Sequence, residues 1–304
     1  MNAQIPLPSL AARDNPKVAI VMIIVSTVLF SILWSLVKML AARYPIVEVS
    51  FFRSALAFIP VGVMVATNGG LPLLRTRKVS SHIWRSVIGV VSMMLGFLSY
   101  HLMPLADAVA ISFTSPLLIT ALSVPLLGEK VGIHRWSAVV VGFVGVLLII
   151  QPGGAMLNLG AITALTAAIA SAFSMVTIRQ LNRTDRPLTI VFYFTLYSTL
   201  FTAIPLPFVW VTPTLQDWGL LIVLGLTGGI GQYFMTRAYG LASAAVVSPF
   251  NYVSLLWAAL FGWAIWGDVP ALHVFVGSAV VVASGLFILF REIAKSRDPT
   301  PPAS

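Results

Sequence analysis

Four ionisable residues interrupt stretches that are otherwise apolar: Lys38, Glu48, Arg53 and Asp107. At membrane depth such a group costs about 2.5–3.5 kcal/mol on insertion scales, so each needs a partner or water. Two positive and two negative charges invite mutual neutralisation. Read for function, Glu48, Arg53 and Asp107 form a gate or substrate-charge cluster, and Glu48 and Asp107 make the proton a candidate coupling ion. Read for structure, interfacial ion pairs and snorkelling side chains serve as well. Hydroxyl and aromatic groups supply a second kind of chemistry. Ser31, Trp34 and Lys38 are spaced three and four apart and share one face of a helix. Ser112, Ser115 and Pro116 form a similar stripe, as do Asn251 and Ser254, with Tyr252 beside them. Tyr100, Tyr233 and Trp257 offer further stacking surfaces for a planar or cationic solute. Pro116 and Pro249 release backbone carbonyls inside helices, which suits either a hinge or a packing kink.

Other chemistries lack their residues. There is no cysteine, so thiolate ligands and a cysteine nucleophile are excluded. The four histidines are widely spaced, with no HExxH, and there is no GxxxxGK[ST] loop. An intramembrane enzyme or an ATP-driven pump therefore finds no support, and no cofactor or metal is expected.

The elements that must position these residues follow from composition. Of 304 residues, 59% are hydrophobic and 9% charged, too few polar groups to cover a water-soluble domain. Apolar runs recur at 18–40, 46–67, 84–103, 105–127, 134–151, 158–181, 187–211, 218–239, 243–266 and 271–290. A run of about 20 residues crosses a bilayer core. The fold class is thus an all-α polytopic membrane protein with ten transmembrane helices, and Met103-Pro104 is a tight turn between the third and fourth. With the N-terminus inside, fifteen of the eighteen Lys and Arg, Arg85 among them, fall in segments on the cytoplasmic side. The net charge of +9 is scattered between spans rather than gathered on one surface, so nucleic acid is not an expected partner. Residues 1–16 read as a cytoplasmic tail without a cleavable leader, and 291–304 as a disordered one.

Sliding the sequence by 139 residues aligns Tyr100–His134 with Tyr239–His273 without a gap, matching Ser115 to Ser254, Gly128-Glu129 to Gly267-Asp268 and His134 to His273. Each half holds five spans, an odd number, so the second enters the membrane inverted. Inverted repeats place a cavity near the midplane and allow rocking between two open states. The run from Tyr100 to Ala110, then Phe113-Thr114-Ser115-Pro116-Leu117-Leu118 and Leu127-Gly128-Glu129-Lys130, resembles the EamA module of the drug/metabolite transporter superfamily. The second copy departs from it, with Leu255 for Pro116 and Asp268 for Glu129. That resemblance implies repeats at 17–151 and 152–290, cytoplasmic termini, and a pore formed by both halves. It also implies a small-molecule substrate such as an amino acid, a nucleotide-like metabolite, riboflavin or S-adenosylmethionine. Export of amino acids or related metabolites across the inner membrane is the first expectation, uptake of a vitamin or nucleoside-like compound the second. The oligomer is a monomer or homodimer.

Overall fold

The computed structural model describes residues 15–127, 132–151, 159–181, 184–241 and 247–297. Local signals start and stop its helices. The Asn15 side chain accepts the Val18 N–H at 3.2 Å and Pro16 fills the first turn of α1 (Pro16–Leu40). Pro45 precedes α2 (Ile46–Thr67), and α3 (Val79–Leu102) ends at an extended Met103 before Pro104. The expected turn between spans three and four is therefore present. The fourth span is broken into α4 (Leu105–Ser112) and α5 (Ser115–Leu127) at Phe113 and Thr114. Next come α6 (Ile133–Ile150), α7 (Leu159–Leu181), α8 (Pro187–Ala203), a single turn α9 (Leu206–Val209) and α10 (Leu215–Leu241). The ninth span opens as a 3-10 helix, Ser248–Tyr252, and continues as α11 (Val253–Trp266), which stops at Gly267 with φ +73°. The last helix, α12 (Leu272–Arg297), stays helical over 291–297, where a disordered tail is the sequence expectation.

Six of these helical stretches are long and apolar enough to cross a membrane, and four shorter apolar helices bring the described crossings to ten. Contacts between helix ends fix their alternation. The Asn15 N–H bonds the Leu241 carbonyl where α1 begins and α10 ends, and Lys38 meets Asp268 where α1 and α11 end. Neighbours also exchange consistently when the halves are swapped: α1 packs along α10, and its counterpart α7 packs along α3. The pairs α2–α8 and α6–α12 map onto themselves. Two inverted five-helix units thus interlock rather than sit side by side.

Lipid gives helices no hydrophobic reason to associate, so close backbone approach supplies the cohesion. A Cβ at Gly225 would collide with Leu56 and one at Gly229 with Pro60, which lets α10 lie directly on α2. Gly145 and Gly277 bring α6 and α12 together in the same way, a Cβ at Gly145 falling 2.8 Å from the Gly277 carbonyl oxygen.

Candidate functional site

A cavity of about 440 Å³ opens between α1, α3, the broken fourth span, α7, α10 and the ninth span, so both halves build it. Trp34 and Tyr100 form its aromatic wall with ring centroids 5.8 Å apart, and Phe30 stacks on Trp34 at 6.3 Å. Ser112, Ser115, Pro116, Asn251 and Ser254 line the wall contributed by the two irregular spans. The irregularity has local causes. Pro116 has no N–H to donate at the start of α5, and the Thr114 hydroxyl bonds the Ile111 carbonyl at 2.5 Å, closing the end of α4. In the ninth span the Ser254 hydroxyl bonds the Asn251 carbonyl at 2.7 Å, just where the 3-10 turn becomes α11. Interrupted spans beside a cavity are where irregular backbone is tolerated at membrane depth.

The other candidates lie elsewhere. Ser31 is fully buried with its hydroxyl unpartnered, and Tyr233 packs edge-on against Phe234. Trp257 stacks on Phe261 at 6.5 Å. Tyr252 sits beside the cavity with its ring against Phe113 and fits against α12 only because position 285 is glycine. Pro249 lies inside the 3-10 turn rather than within an α-helix.

Lys38, Glu48, Arg53 and Asp107 form no ion pair with one another, although Asp107 lies within electrostatic reach of Lys38. Lys38 reaches across to the other half, bonding Asp268 at 2.9 Å and lying 4.7 Å over the Trp266 ring. Asp268 thus pairs with Lys38, while its repeat counterpart Glu129 lies outside the described residues. Glu48 is fully buried and accepts the Val211 N–H at 3.0 Å with one oxygen, its other oxygen unpartnered. Asp107 lies within electrostatic reach of Lys38, Asp268 and His273, with one oxygen buried and unpartnered. Arg53 faces Phe194, 5.9 Å from the ring centroid. The four charges separate because their helices turn them toward different neighbours, which spacing along the chain does not encode.

Two polar clasps hold the ends of the bundle. On the face where α2 begins, Asp217 takes hydrogen bonds from Arg43 at 2.9 Å, Tyr44 at 2.7 Å and Thr214 at 2.7 Å. On the opposite face, Asp185 pairs with His82 at 2.6 Å and accepts the Thr76 hydroxyl at 2.6 Å. Each clasp joins the first turn of the third helix of one half to the segment before the second helix of the other, so exchange of halves relates them.

Sequence reasoning missed part of the cavity wall and one charge. On α3, Arg85, Gly89, Ser92, Gly96 and Ser99 recur at four, three, four and three residues, one continuous helical face of small and polar groups in an apolar span. Ser92, Gly96 and Ser99 line the cavity, with the Ser92 hydroxyl also bonding the Ala167 carbonyl at 2.9 Å. That periodicity was the available signal. Arg85, counted among the cytoplasmic basic residues although it falls at the head of the 84–103 run, lies within α3.

Residues 17–151 and 158–290 each match the model of the EamA-like transporter family. The chain is 30% identical over 295 residues to the pseudopaline exporter CntI of Pseudomonas aeruginosa, covering 93% of this chain and 98% of that protein. It is 30% identical to a riboflavin transporter of Vibrio cholerae over 95% of this chain and 98% of that protein. It is 26% identical to an S-adenosylmethionine uptake transporter of Rickettsia bellii, over 84% of this chain and 87% of that protein. A solved crystal structure superposes with a TM-score of 0.64 over 92% of this chain and 98% of its own, at 18% identity, which establishes a shared fold.

Proposed function

The chain belongs to the EamA-like transporter family and is a small-molecule transporter rather than an enzyme, and from that premise we infer that it moves an amino acid or related metabolite out across the inner membrane by alternating access. One observation carries this reading: the cavity shared by both halves, bounded by two interrupted spans and lying between two clasps at opposite faces. Rocking of one inverted half against the other opens such a cavity alternately. The breaks at Phe113–Thr114 and at Ser248–Tyr252 are the points where the two halves flex. The repeat boundaries at 17–151 and 152–290 follow the same logic, and fourteen of eighteen basic residues, leaving out Arg85, favour cytoplasmic termini.

Trp34, Tyr100, Ser112, Ser115 and Asn251 contact the solute in this account. Aromatic faces stack on its apolar or cationic part, and hydroxyl and amide groups set its orientation. Asp107 and Glu48, each with an unpartnered carboxylate oxygen, are the acids through which a proton gradient would act. Uptake of a flat vitamin or nucleoside-like compound is the second reading, favoured by the Phe30–Trp34–Tyr100 wall and by the named transporters of Vibrio cholerae and Rickettsia bellii. Counterflow in proteoliposomes decides between them. Amino acids, riboflavin and S-adenosylmethionine are each preloaded, with and without a pH gradient. Exchange of amino acids alone supports the first reading and exchange of the ring compounds alone the second. No protein-dependent exchange of any solute removes both.

A further inference from the structure

Arg53 on α2 and Arg85 on α3 converge on one ring, that of Phe194 on α8. The Arg85 guanidinium carbon lies 3.7 Å from the ring centroid and that of Arg53 5.9 Å, so the two cations are less than about 10 Å apart. Arg85 lies within the like-charge field of Arg53. Both sit deep in the bundle. Arg53 is seven residues into α2 from one membrane face, and Arg85 six residues into α3 from the other, each about 10 Å along its helix. The Arg85 Nε and Nη1 atoms are buried and have no hydrogen-bond partner.

Five carboxylates whose side chains are described are directed elsewhere: Asp185 to His82, Asp217 to Arg43 and Tyr44, Asp268 to Lys38, Glu48 to the Val211 N–H, and Asp107 toward Lys38 and His273. Two half-buried guanidiniums thus share a site with no counter-charge there from the described side chains, an arrangement that membrane depth disfavours unless an anion or water joins it. The backbone is shaped to hold this geometry. A Cβ at Gly89, one turn beyond Arg85, would fall 2.8 Å from the Phe194 ring, and a Cβ at Gly228 would fall 2.9 Å from Leu33 and 3.5 Å from the Arg53 Nε. Small residues therefore seat both the ring and Arg53. The site lies in line with the cavity, because Arg85 and Gly89 begin the same helical face that continues through the cavity-lining Ser92 and Gly96, with Ser92 about 10 Å further along α3.

We propose that Arg53 and Arg85 bind the anionic group, a carboxylate or phosphate, of the transported solute, so that the cargo is a small anion or zwitterion. This rests on the transport reading and narrows its substrate class. A carboxylate or phosphate taking a charge-assisted bond of about 2.8 Å from each guanidinium spans the gap between them. Arginine suits the task because its fork matches these groups and it keeps its charge when buried.

The test is thermal unfolding of the purified full-length protein with sodium glutarate, sodium phosphate or sodium chloride at matched ionic strength, and with neutral glutaramide. Glutarate or phosphate should raise the midpoint by roughly 4 °C or more at saturation, with chloride and glutaramide leaving it unchanged. A shift with glutarate alone identifies a carboxylate, and with phosphate alone a phosphate. Arg53→Gln and Arg85→Gln should each abolish the shift and Arg85→Lys weaken it, while Lys78→Gln, at an exposed cation, retains it. No shift in the parent protein, or a shift that survives both glutamine variants, overturns the proposal and leaves the arginines as props on Phe194. Counterflow separates this failure from that of the transport reading. If no solute exchanges, transport itself fails. If the parent and Arg85→Gln exchange charged and neutral solutes alike, only the anion site does.

Discussion

Phe113 and Tyr252 stand at equivalent positions of the two halves, 139 residues apart, and their rings meet with centroids 4.7 Å apart and planes tilted by 40°. Symmetry-related residues touch only where the axis relating them passes between them, so the pseudo-two-fold runs through this pair, at the edge of the cavity. Both lie at the interrupted points of their spans.

A link across this axis should therefore stop relative movement of the halves. The chain contains no cysteine, so Phe113→Cys/Tyr252→Cys offers two unique thiols. A short bifunctional thiol reagent is expected to join them and cut flux about tenfold or more, with recovery on reduction. Single-cysteine variants given the same reagent should keep most of their activity. Equal flux before and after verified cross-linking would mean the halves do not separate here.

Trp34→Ala removes the central ring of the Phe30–Trp34–Tyr100 wall. Loss of stacking and contact area is expected to lower flux about tenfold or more at matched membrane abundance, while Trp34→Phe retains a substantial part. Asn251→Ala should impair flux in the same direction. Radiolabelled exchange normalised to protein detected in the membrane is the readout, and wild-type rates in both alanine variants would place the solute elsewhere.

The Lys38–Asp268 pair joins the two halves at 2.9 Å, with side chains 12% and 30% exposed. Partial screening makes this worth less than a buried pair, so Lys38→Met should cost about 1–2 kcal/mol. Removing both charges should cost less than the sum of the single changes, with a coupling of roughly 0.5–2 kcal/mol in a double-mutant cycle. Strict additivity of the unfolding midpoints would show that the two charges do not interact in solution.

Gly225→Val and Gly229→Val push β-carbons into Leu56 and Pro60 and pry α10 from α2. Overpacking at one such contact costs about 1–3 kcal/mol, so each variant should unfold several degrees lower and give less monodisperse protein. Gly219→Ala, on the same helix with open space around it, should be silent by the same assay. Similar midpoints for Gly219→Ala and Gly229→Val would remove the packing argument.

What the sequence made legible divides by physical range. Helix number, the turn at Met103-Pro104 and the two-half organisation follow from apolar run length, proline chemistry and internal similarity, all local or repeated along the chain. The adjacency of Ser112, Ser115 and Asn251 was within reach because periodicity puts them on faces and the repeat relates those faces. The break at Phe113–Thr114 was not, because a proline two residues later marks a weak point without saying whether the helix bends or stops. Charge partners were least legible. Lys38 and Asp268 are 230 residues apart, and only the interlocking of halves brings them together. Arg85 was hidden by a counting rule that tallies basic residues toward the cytoplasmic side, although its place at the head of the α3 small-residue face was readable.

Accessibility of a single introduced thiol tests the central claim most directly. Ser112→Cys puts a thiol on the cavity wall of an otherwise cysteine-free chain. A membrane-impermeant maleimide applied to right-side-out and then to inverted vesicles reports which side reaches it. Labelling from both sides, slowed by a solute that exchanges, is the result expected of a cavity that opens alternately. Labelling from one side only, with a transported solute present or absent, would contradict it.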